Sequence, residues 1–401
     1  MQVTMNNILF SFSQALDYVE RELLGITVNH GKRVAYTSMR LGQALGLSDA
    51  EIFDLASCAI LHDNALTGYM LETGLARFSR LEGLKKHCPL GENNAAGFPF
   101  MGDVKGVILY HHENWDGSGY FKMGNADIPL QAAIIRLADN LDLTLGMGEY
   151  KPTLKNRIQE HSTRFSASLY APLVVEAMLD IADDSFIDSV NNANIDRTIV
   201  ETVPAVGKEL SNEGFLSVSR IFATIIDAKS PFTQCHSVGV AAKTKHLAGA
   251  FKLDQDTCHR LEVAALLHDI GKLSTPLYIL EKKGTLSQEE YRIMQNHAQV
   301  SWDILHRITG MEDISRWAAS HHEKLNGSGY PLGKMAEKQD TEGRILTVCD
   351  IFQALTENRP YRAGMVLTDA ARIMREMVTK GELDGDIVEV AISEYKSSMT
   401  A

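Results

Sequence analysis

The sequence predicts an all-α protein made of two tandem helical domains that arose by internal duplication. Three observations predict this. Apolar residues recur at helical spacing in almost every segment, Gly and Pro fall between those segments, and the alternation expected of strands is scarce. A set of histidines and aspartates appears in both halves at matching gaps. Between the halves lies a low-complexity connector, Asn191-Asn192-Ala193-Asn194, followed by the Val203-Pro204 region. The boundary is placed near 205, which gives domains of residues 1–205 and 206–401.

The elements follow in order. Residues 1–24 read as a helix with an irregular apolar face of Ile8, Phe10, Phe12, Leu16, Val19 and Leu23. Further helices are expected at about 32–46, 50–62, 130–147, 165–182, 214–228, 235–250, 258–271, 287–307, 311–321, 341–356 and 367–379. The segment from about 152 to 200 repeats no motif. Its apolar residues Leu169, Val174, Val175, Met178, Leu179 and Ile181 suggest a helix that packs the two domains together.

Composition narrows the function. With 401 residues and 45% apolar content, each half can build a sizeable core. A net charge of −12 without long Lys/Arg runs argues against DNA or RNA as a partner. A small phosphate ligand stays compatible if metal cations and a few Arg or Lys offset the field locally. The chain has no apolar run long enough for a membrane span and no signal-peptide pattern at its start. Its five cysteines (Cys58, Cys88, Cys235, Cys258 and Cys349) are isolated and form no CxxC. They read as reduced, buried small hydrophobes in a cytoplasmic protein. Cys235 and Cys349 directly precede candidate ligands.

The repeat carries the chemistry. His30 precedes the pair His62-Asp63 by 32 residues, and His236 precedes His268-Asp269 by the same 32. His87 and His297 each precede a histidine pair, His111-His112 and His321-His322, by 24. The text around the pairs repeats too, with His111-His112-Glu113 leading to Gly117-Ser118-Gly119-Tyr120 and His321-His322-Glu323 leading to Gly327-Ser328-Gly329-Tyr330. Each half closes with an aspartate on an apolar helix, Asp139 and Asp350. Any one of these histidines alone reads as a satisfied core or surface residue; seven residues in order, repeated, do not. The second half offers His236, His268, Asp269, His297, His321, His322 and Asp350. Five imidazoles and two carboxylates exceed the four ligands of a structural zinc. They suit two divalent transition-metal ions bridged by a carboxylate and a hydroxide, with iron or manganese fitting the mixed nitrogen and oxygen donors. Such a pair acidifies a shared water and clamps a phosphoryl oxygen.

Taken together, His268-Asp269-Ile270-Gly271-Lys272, His321-His322-Glu323, Gly329-Tyr330-Pro331 and Arg359-Pro360-Tyr361-Arg362 resemble the HD-GYP phosphodiesterases of the HD superfamily. The match is full over about 225–370 and looser over about 20–150, and the tandem arrangement is similar to the 3′,3′-cyclic GMP-AMP branch. The resemblance implies HD-type helical domains and a metal-dependent enzyme that opens a cyclic dinucleotide to a linear 5′-phosphorylated one. Cyclic GMP-AMP is the favoured substrate, with cyclic di-GMP the alternative. It also implies that the seven residues of the second half are metal ligands, Asp269 bridging. Lys272 would meet the scissile phosphate, Arg359 and Arg362 would hold phosphate or guanine edges, and Tyr330, Pro331 and Asn326 would shape the base pocket. Three positions depart from the pattern. Ser230 replaces an acidic residue before the first histidine, Phe232 replaces a glutamate that accompanies a third metal, and Asn326 replaces the usual Asp of the loop.

The first half keeps candidate ligands His30, His62, Asp63, His87, His111, His112 and Asp139, which make a second metal site there. It lacks the groups that handle substrate. Along the repeat Lys272 becomes Leu66, Pro331 becomes Phe121, Arg359 becomes Gly148 and Arg362 becomes Lys151. The first domain is therefore expected to be catalytically weak and to serve in packing, homodimerisation or regulation of the second. Two other readings stand beside the main one: an HD-type nucleotide phosphohydrolase, which Lys272 and the loop elements disfavour, and a non-catalytic cyclic-dinucleotide sensor.

Overall fold

Local signals start and stop the helices that carry the histidines. Ser48 and Glu51 form a capping box before helix Asp49–Leu61, and Asp254 accepts a hydrogen bond from the Thr257 amide before helix Gln255–Leu267. Both helices end on the residue before the His-Asp pair, so each pair sits at a helix exit. The computed structural model describes residues 5–68, 80–204, 210–230, 235–358 and 363–398. Within these residues the all-α class holds. There is no strand, only isolated bridges at Ser166–Tyr170 and Asn326–Met335. The described residues divide into two compact units, 5–204 and 210–398.

In the first unit the helices are α1 (Met5–Leu24), α2 (His30–Ala44), α3 (Asp49–Leu61), α4 (Arg80–Ala95), α5 (Leu130–Leu145), α6 (Leu154–Arg164), α7 (Pro172–Ile181), α8 (Asp184–Val190) and α9 (Ile195–Thr202). In the second they are α10 (Asn212–Asp227), α11 (His236–Ala250), α12 (Gln255–Leu267), α13 (Leu277–Leu280), α14 (Gln288–Leu305), α15 (Glu312–Ala319), α16 (Thr341–Thr356), α17 (Leu367–Thr379) and α18 (Gly385–Ser398). The duplication is visible in packing. α2 lies against α3 and α5, and α11 lies against α12 and α16. Each trio delivers the same three groups: the first histidine at a helix start, the His-Asp pair at a helix end, and the closing aspartate from mid-helix.

Two helix expectations need correction. The span 165–182 is not one helix. α6 stops at Arg164, Ala167 turns with φ +61°, and α7 begins at Pro172. Proline lacks the amide an interior position needs and disfavours helix in the residue before it, so it opens α7 instead. Val174, Val175 and Met178 of this region lie in the core of the first unit, with α7 against α2, while Leu169, Leu179 and Ile181 are only partly buried. The expected helix 258–271 ends at Leu267, and the chain tightens into a 3-10 turn, Ile270–Ser274. Sequence patterning did not anticipate α4, which has Pro89 inside it, or α6, α8, α9, α13 and α18. No helix among the described residues is long and apolar enough to cross a membrane.

The turn after α12 depends on one glycine. The Ile270–Ser274 turn packs on α14 so closely that a Cβ at Gly271 would lie 2.0 Å from the His297 carbonyl oxygen and 2.7 Å from the Ser301 amide. Both neighbours are helix backbone and cannot step aside. The Gly271 amide bonds the Ser301 hydroxyl at 3.0 Å, which in turn bonds the His268 carbonyl at 2.8 Å. Gly271→Ala should therefore cost at least the ~1–3 kcal/mol of an overpacked core, seen as a lowered Tm in thermal unfolding, and should displace Lys272. An unchanged Tm would show that the turn and α14 are not in backbone contact.

Candidate metal centres

In the second unit the candidate ligands converge from α11, α12, α14, α16 and the segment after α15. They form two clusters, His236 with His268 and Asp350, and His297 with His321 and His322. Asp269 lies between them. Its Oδ2 is 3.2 Å from His268 Nε2, while its Oδ1 is 3.6 Å from Nε2 of both His297 and His321. One carboxylate thus presents one oxygen to each cluster. His236 Nε2 is 3.1 Å from Asp350 Oδ1, and His297 and His321 approach through their Nε2 atoms at 3.4 Å.

The backbone sets the orientation of three rings. The Nδ1 atoms of His268, His297 and His321 lie 2.6–2.7 Å from the carbonyls of Ala265, Met294 and Ala318. Each carbonyl is placed to accept an Nδ1 proton, which turns Nε2 inward. His236 is held differently. Its Nδ1 is 3.0 Å from Glu357 Oε2, which also accepts from Gln353 at 3.1 Å, and Gln353 accepts from Lys243 at 2.7 Å.

Electrostatics match a cation in the middle. Burial pushes the Asp269 carboxyl up, but His268 and Lys272 outweigh it and hold it well below the usual range. Burial drives His297 down to about 4, and burial with neighbouring His297 drives His322 down to about 3. Those imidazoles are neutral, as ligation requires. His268 Nε2 and Asp269 Oδ1 are buried and have no hydrogen-bond partner. Leaving such atoms unmet costs about 1–3 kcal/mol each, and a metal ion would meet them. The donor set fits divalent metal, with His236, His268, Asp350 and Asp269 at one position and Asp269, His297, His321 and His322 at the other.

A cavity of about 260 Å³ opens beside this cluster, among Lys229, Ser230, His236, Lys272, His322 and Asp350. Lys272 donates to Asp269 Oδ2 at 2.5 Å. Burial lowers its pKa, yet Asp269 raises it further, so it stays charged. Lys229 is a second cation here that sequence reasoning missed; it is buried, with Nζ 2.6 Å from the Leu273 carbonyl. Tyr330 stands over His322, ring centroids 4.6 Å apart, and Pro331 follows it. Asn326 is placed otherwise. It is exposed, its carbonyl accepts from the Ser328 amide and hydroxyl, and its amide donates to the Lys380 carbonyl. Its side chain therefore shapes the loop and does not border the cavity. Arg359, Arg362 and Phe232 lie outside the described residues.

The first unit builds the same arrangement. Asp63 turns Oδ2 to His62 at 3.5 Å and Oδ1 to His87 at 3.0 Å and His111 at 3.7 Å. His30 Nε2 lies 3.4 Å from Asp139. The first histidine is anchored by a buried carboxylate here too, with His30 Nδ1 2.6 Å from Asp142 Oδ2, and Asp142 gripped by the fully buried Arg33 at 2.7 and 2.8 Å. Cys88 is an unanticipated member, its Sγ 3.7 Å from His87 Nε2. Burial pushes its thiol up, but His111 and His87 outweigh this and bring it to about 6. The substrate-side positions differ in kind. Leu66 is core, Phe121 packs edge-on to Tyr110, Gly148 is wedged against Arg33, and Lys151 donates to the Leu145 carbonyl at 3.3 Å.

The comparisons accord with this architecture. A family model described as HD domain matches residues 15–161 and 220–387. The 3′3′-cGAMP-specific phosphodiesterase 1 of Vibrio cholerae is 31% identical over 399 residues, covering 97% of this chain and 91% of that protein. The 3′3′-cGAMP-specific phosphodiesterase 3 of the same organism is 33% identical over 296 residues, 73% of this chain and 63% of that protein. A crystal structure of a cyclic GMP-AMP-specific phosphodiesterase from V. cholerae aligns with a TM-score of 0.68 at 25% identity, covering 98% and 97% of the two chains.

Two outcomes follow for metal binding. Chelation should lower the Tm, and re-addition of Fe(II) or Mn(II) should restore it, by about 4 kcal/mol at a thousandfold excess over Kd; a Tm indifferent to metal would mean the orphaned atoms are not a metal site. Glu357→Gln should weaken metal retention by about 10–100-fold through the loosened His236 ring, measured by competition with a chelating dye. Unaltered retention would show that Glu357 does not orient the ligand.

Proposed function

The chain belongs to the HD domain family, and from that premise we propose that its second unit is a metal-dependent phosphodiesterase acting on a cyclic dinucleotide. The observation that carries the reading is the shared carboxylate. Asp269 faces a histidine cluster with each oxygen while Lys272 beside it borders a cavity. When bound, two divalent ions, iron or manganese, would acidify a water and polarise the phosphoryl oxygen. His236, His268 and Asp350 would hold one, His297, His321 and His322 the other, with Asp269 within reach of both.

The remaining steps belong to the chain's own side chains. Lys272 stays protonated and stabilises the charge that builds on the scissile phosphate. Lys229 brings a second basic side chain to the cavity wall. The Tyr330 ring, against His322 of the cavity lining, offers a face on which a base can stack, and Pro331 joins it in the proposed set by its place in the motif. Ser230 borders the cavity where the family pattern has an acidic residue, so protonation of the leaving oxygen falls to water. Arg359 and Arg362 complete the proposed set on the strength of the motif they form. The product is a linear 5′-phosphorylated dinucleotide. Cyclic GMP-AMP is favoured over cyclic di-GMP because the relative that aligns along nearly the whole chain carries that specificity in its name.

The first unit, about 1–205, is proposed to keep metal but not turnover, with Leu66 in place of the lysine. Its roles would be packing against, pairing of or regulation of the catalytic unit, about 206–401.

The deciding experiment incubates the purified protein, its iron or manganese content verified, with a panel of cyclic dinucleotides. Linear product from cyclic GMP-AMP is expected; no linearisation of any of them would defeat the reading. Lys272→Ala should lower kcat by about 10²–10³ with metal content unchanged. The His268→Ala/Asp269→Ala double variant tests the division of labour. Turnover near the wild-type level in that variant would mean that the first unit is catalytic.

A further inference from the structure

We infer that the first unit coordinates its metal through the sulfur of Cys88, together with His87, His111 and His112, and that this makes it a closed centre. The inference deepens the reading of the first unit as metal-retaining and rests on it. Sγ of Cys88 and one ring nitrogen from each of these three histidines all lie within 4.8 Å of one another, and all four residues are buried. His112 is 5% exposed, and neither of its ring nitrogens has a hydrogen-bond partner. A buried imidazole with both nitrogens unmet is a ligand waiting for a cation.

Two donor separations match one ion, and Asp63 Oδ1, 3.0 Å from His87 Nε2 and 3.7 Å from His111 Nε2, stands in reach as a further donor. Zinc-type bonds of about 2.05 Å to nitrogen and about 2.3 Å to sulfur give tetrahedral edges of about 3.3 Å between nitrogens and about 3.6 Å between nitrogen and sulfur. The structure has 3.4 Å between the Nε2 atoms of His87 and His111, and 3.7 Å between Cys88 Sγ and His87 Nε2. The second unit offers no counterpart, because the residue after His297 is Ala298.

The difference has a chemical consequence. Structural metal sites fill every position, often with thiolate, whereas catalytic sites leave one open to water. Binding replaces the thiol proton, released to solvent, with the metal–sulfur bond. It adds a soft, anionic donor where the catalytic unit has a methyl group. Such a set selects a divalent ion tolerant of sulfur, zinc or ferrous iron, over manganese.

The test uses the full chain carrying His268→Ala/Asp269→Ala, loaded with Co(II). A near-ultraviolet sulfur-to-cobalt charge-transfer band and intense visible bands of a tetrahedral ion are expected. Adding Cys88→Ser should abolish the charge-transfer band and weaken retention about tenfold or more, while Cys235→Ser should leave both unchanged. A second readout needs no substitution at Cys88: bound zinc should protect Cys88 of the wild-type chain from alkylation at a denaturant concentration at which the metal-free protein reacts there, scored by peptide mass spectrometry. If the first unit takes up cobalt with no sulfur band, or zinc gives Cys88 no protection, the thiolate is overturned and metal retention stands. If the first unit takes up no metal, both fall.

Discussion

A buried carboxylate with imidazoles on both sides organises each unit. Asp269 and Asp63 each turn one oxygen to the paired histidine and the other to histidines from other segments of the chain. Alone, such a group is an unfavourable thing to bury, and burial does push both carboxyls up before the surrounding charges overcome it. The surrounding helices therefore have a narrow task. They must end at the pair, as α3 and α12 do, and bring the first histidine and the closing aspartate alongside. Gly271 belongs to the same constraint, because the chain leaving Asp269 must pass directly beneath the backbone of α14.

The two units solve a shared problem with different residues. Each first histidine needs a carboxylate on its Nδ1. In the first unit Asp142 supplies it, three residues beyond Asp139, and Arg33 neutralises Asp142. In the second unit the corresponding positions hold Gln353 and Gly239, and Glu357, one turn further on, takes over. A Cβ at Gly239 would meet the Gln353 amide, so Gln353 as placed needs a glycine opposite it. Around the ligands, then, the geometry is retained while its supports are exchanged. On the substrate side it is the chemistry that separates the units, Lys272 against Leu66.

Much of this was legible in the sequence because it is local or periodic. Helical spacing, the matching gaps and the His-Asp pairs need no knowledge of tertiary contacts. The helix expectations near the histidines agree with the structure to within a few residues, save where proline or a tight turn intervenes, at Pro172 and after Leu267. What escaped is what folding brings together from a distance. Glu357 reaches His236 across 121 residues, and nothing in its neighbourhood marks it. Lys229 looks like an ordinary helix-end lysine until the Leu273 carbonyl buries it. Cys88 read as a small hydrophobe because isolated cysteines usually are; its neighbour His87 was the available signal. Asn326 was read as a substrate contact from its place in the loop, but its carbonyl is taken by Ser328 and its amide by the distant Lys380 carbonyl.

The loop after each histidine pair is tied by one side chain. Glu323 accepts the amides of Leu332 and Lys334 at 2.7 and 2.8 Å, as Glu113 accepts those of Phe121 and Met123 at 2.8 and 2.9 Å. That carboxylate is the next residue after the histidines, so loop and ligands share a lever. A nucleotide that stacks on Tyr330 and draws the loop with it acts on the same backbone that presents His321 and His322. Linkage is reciprocal, so the metal would then tune affinity for the nucleotide as much as the nucleotide tunes the hold on the metal. An enzyme wired in this way would register two concentrations, that of its substrate and that of its metal, as a single signal.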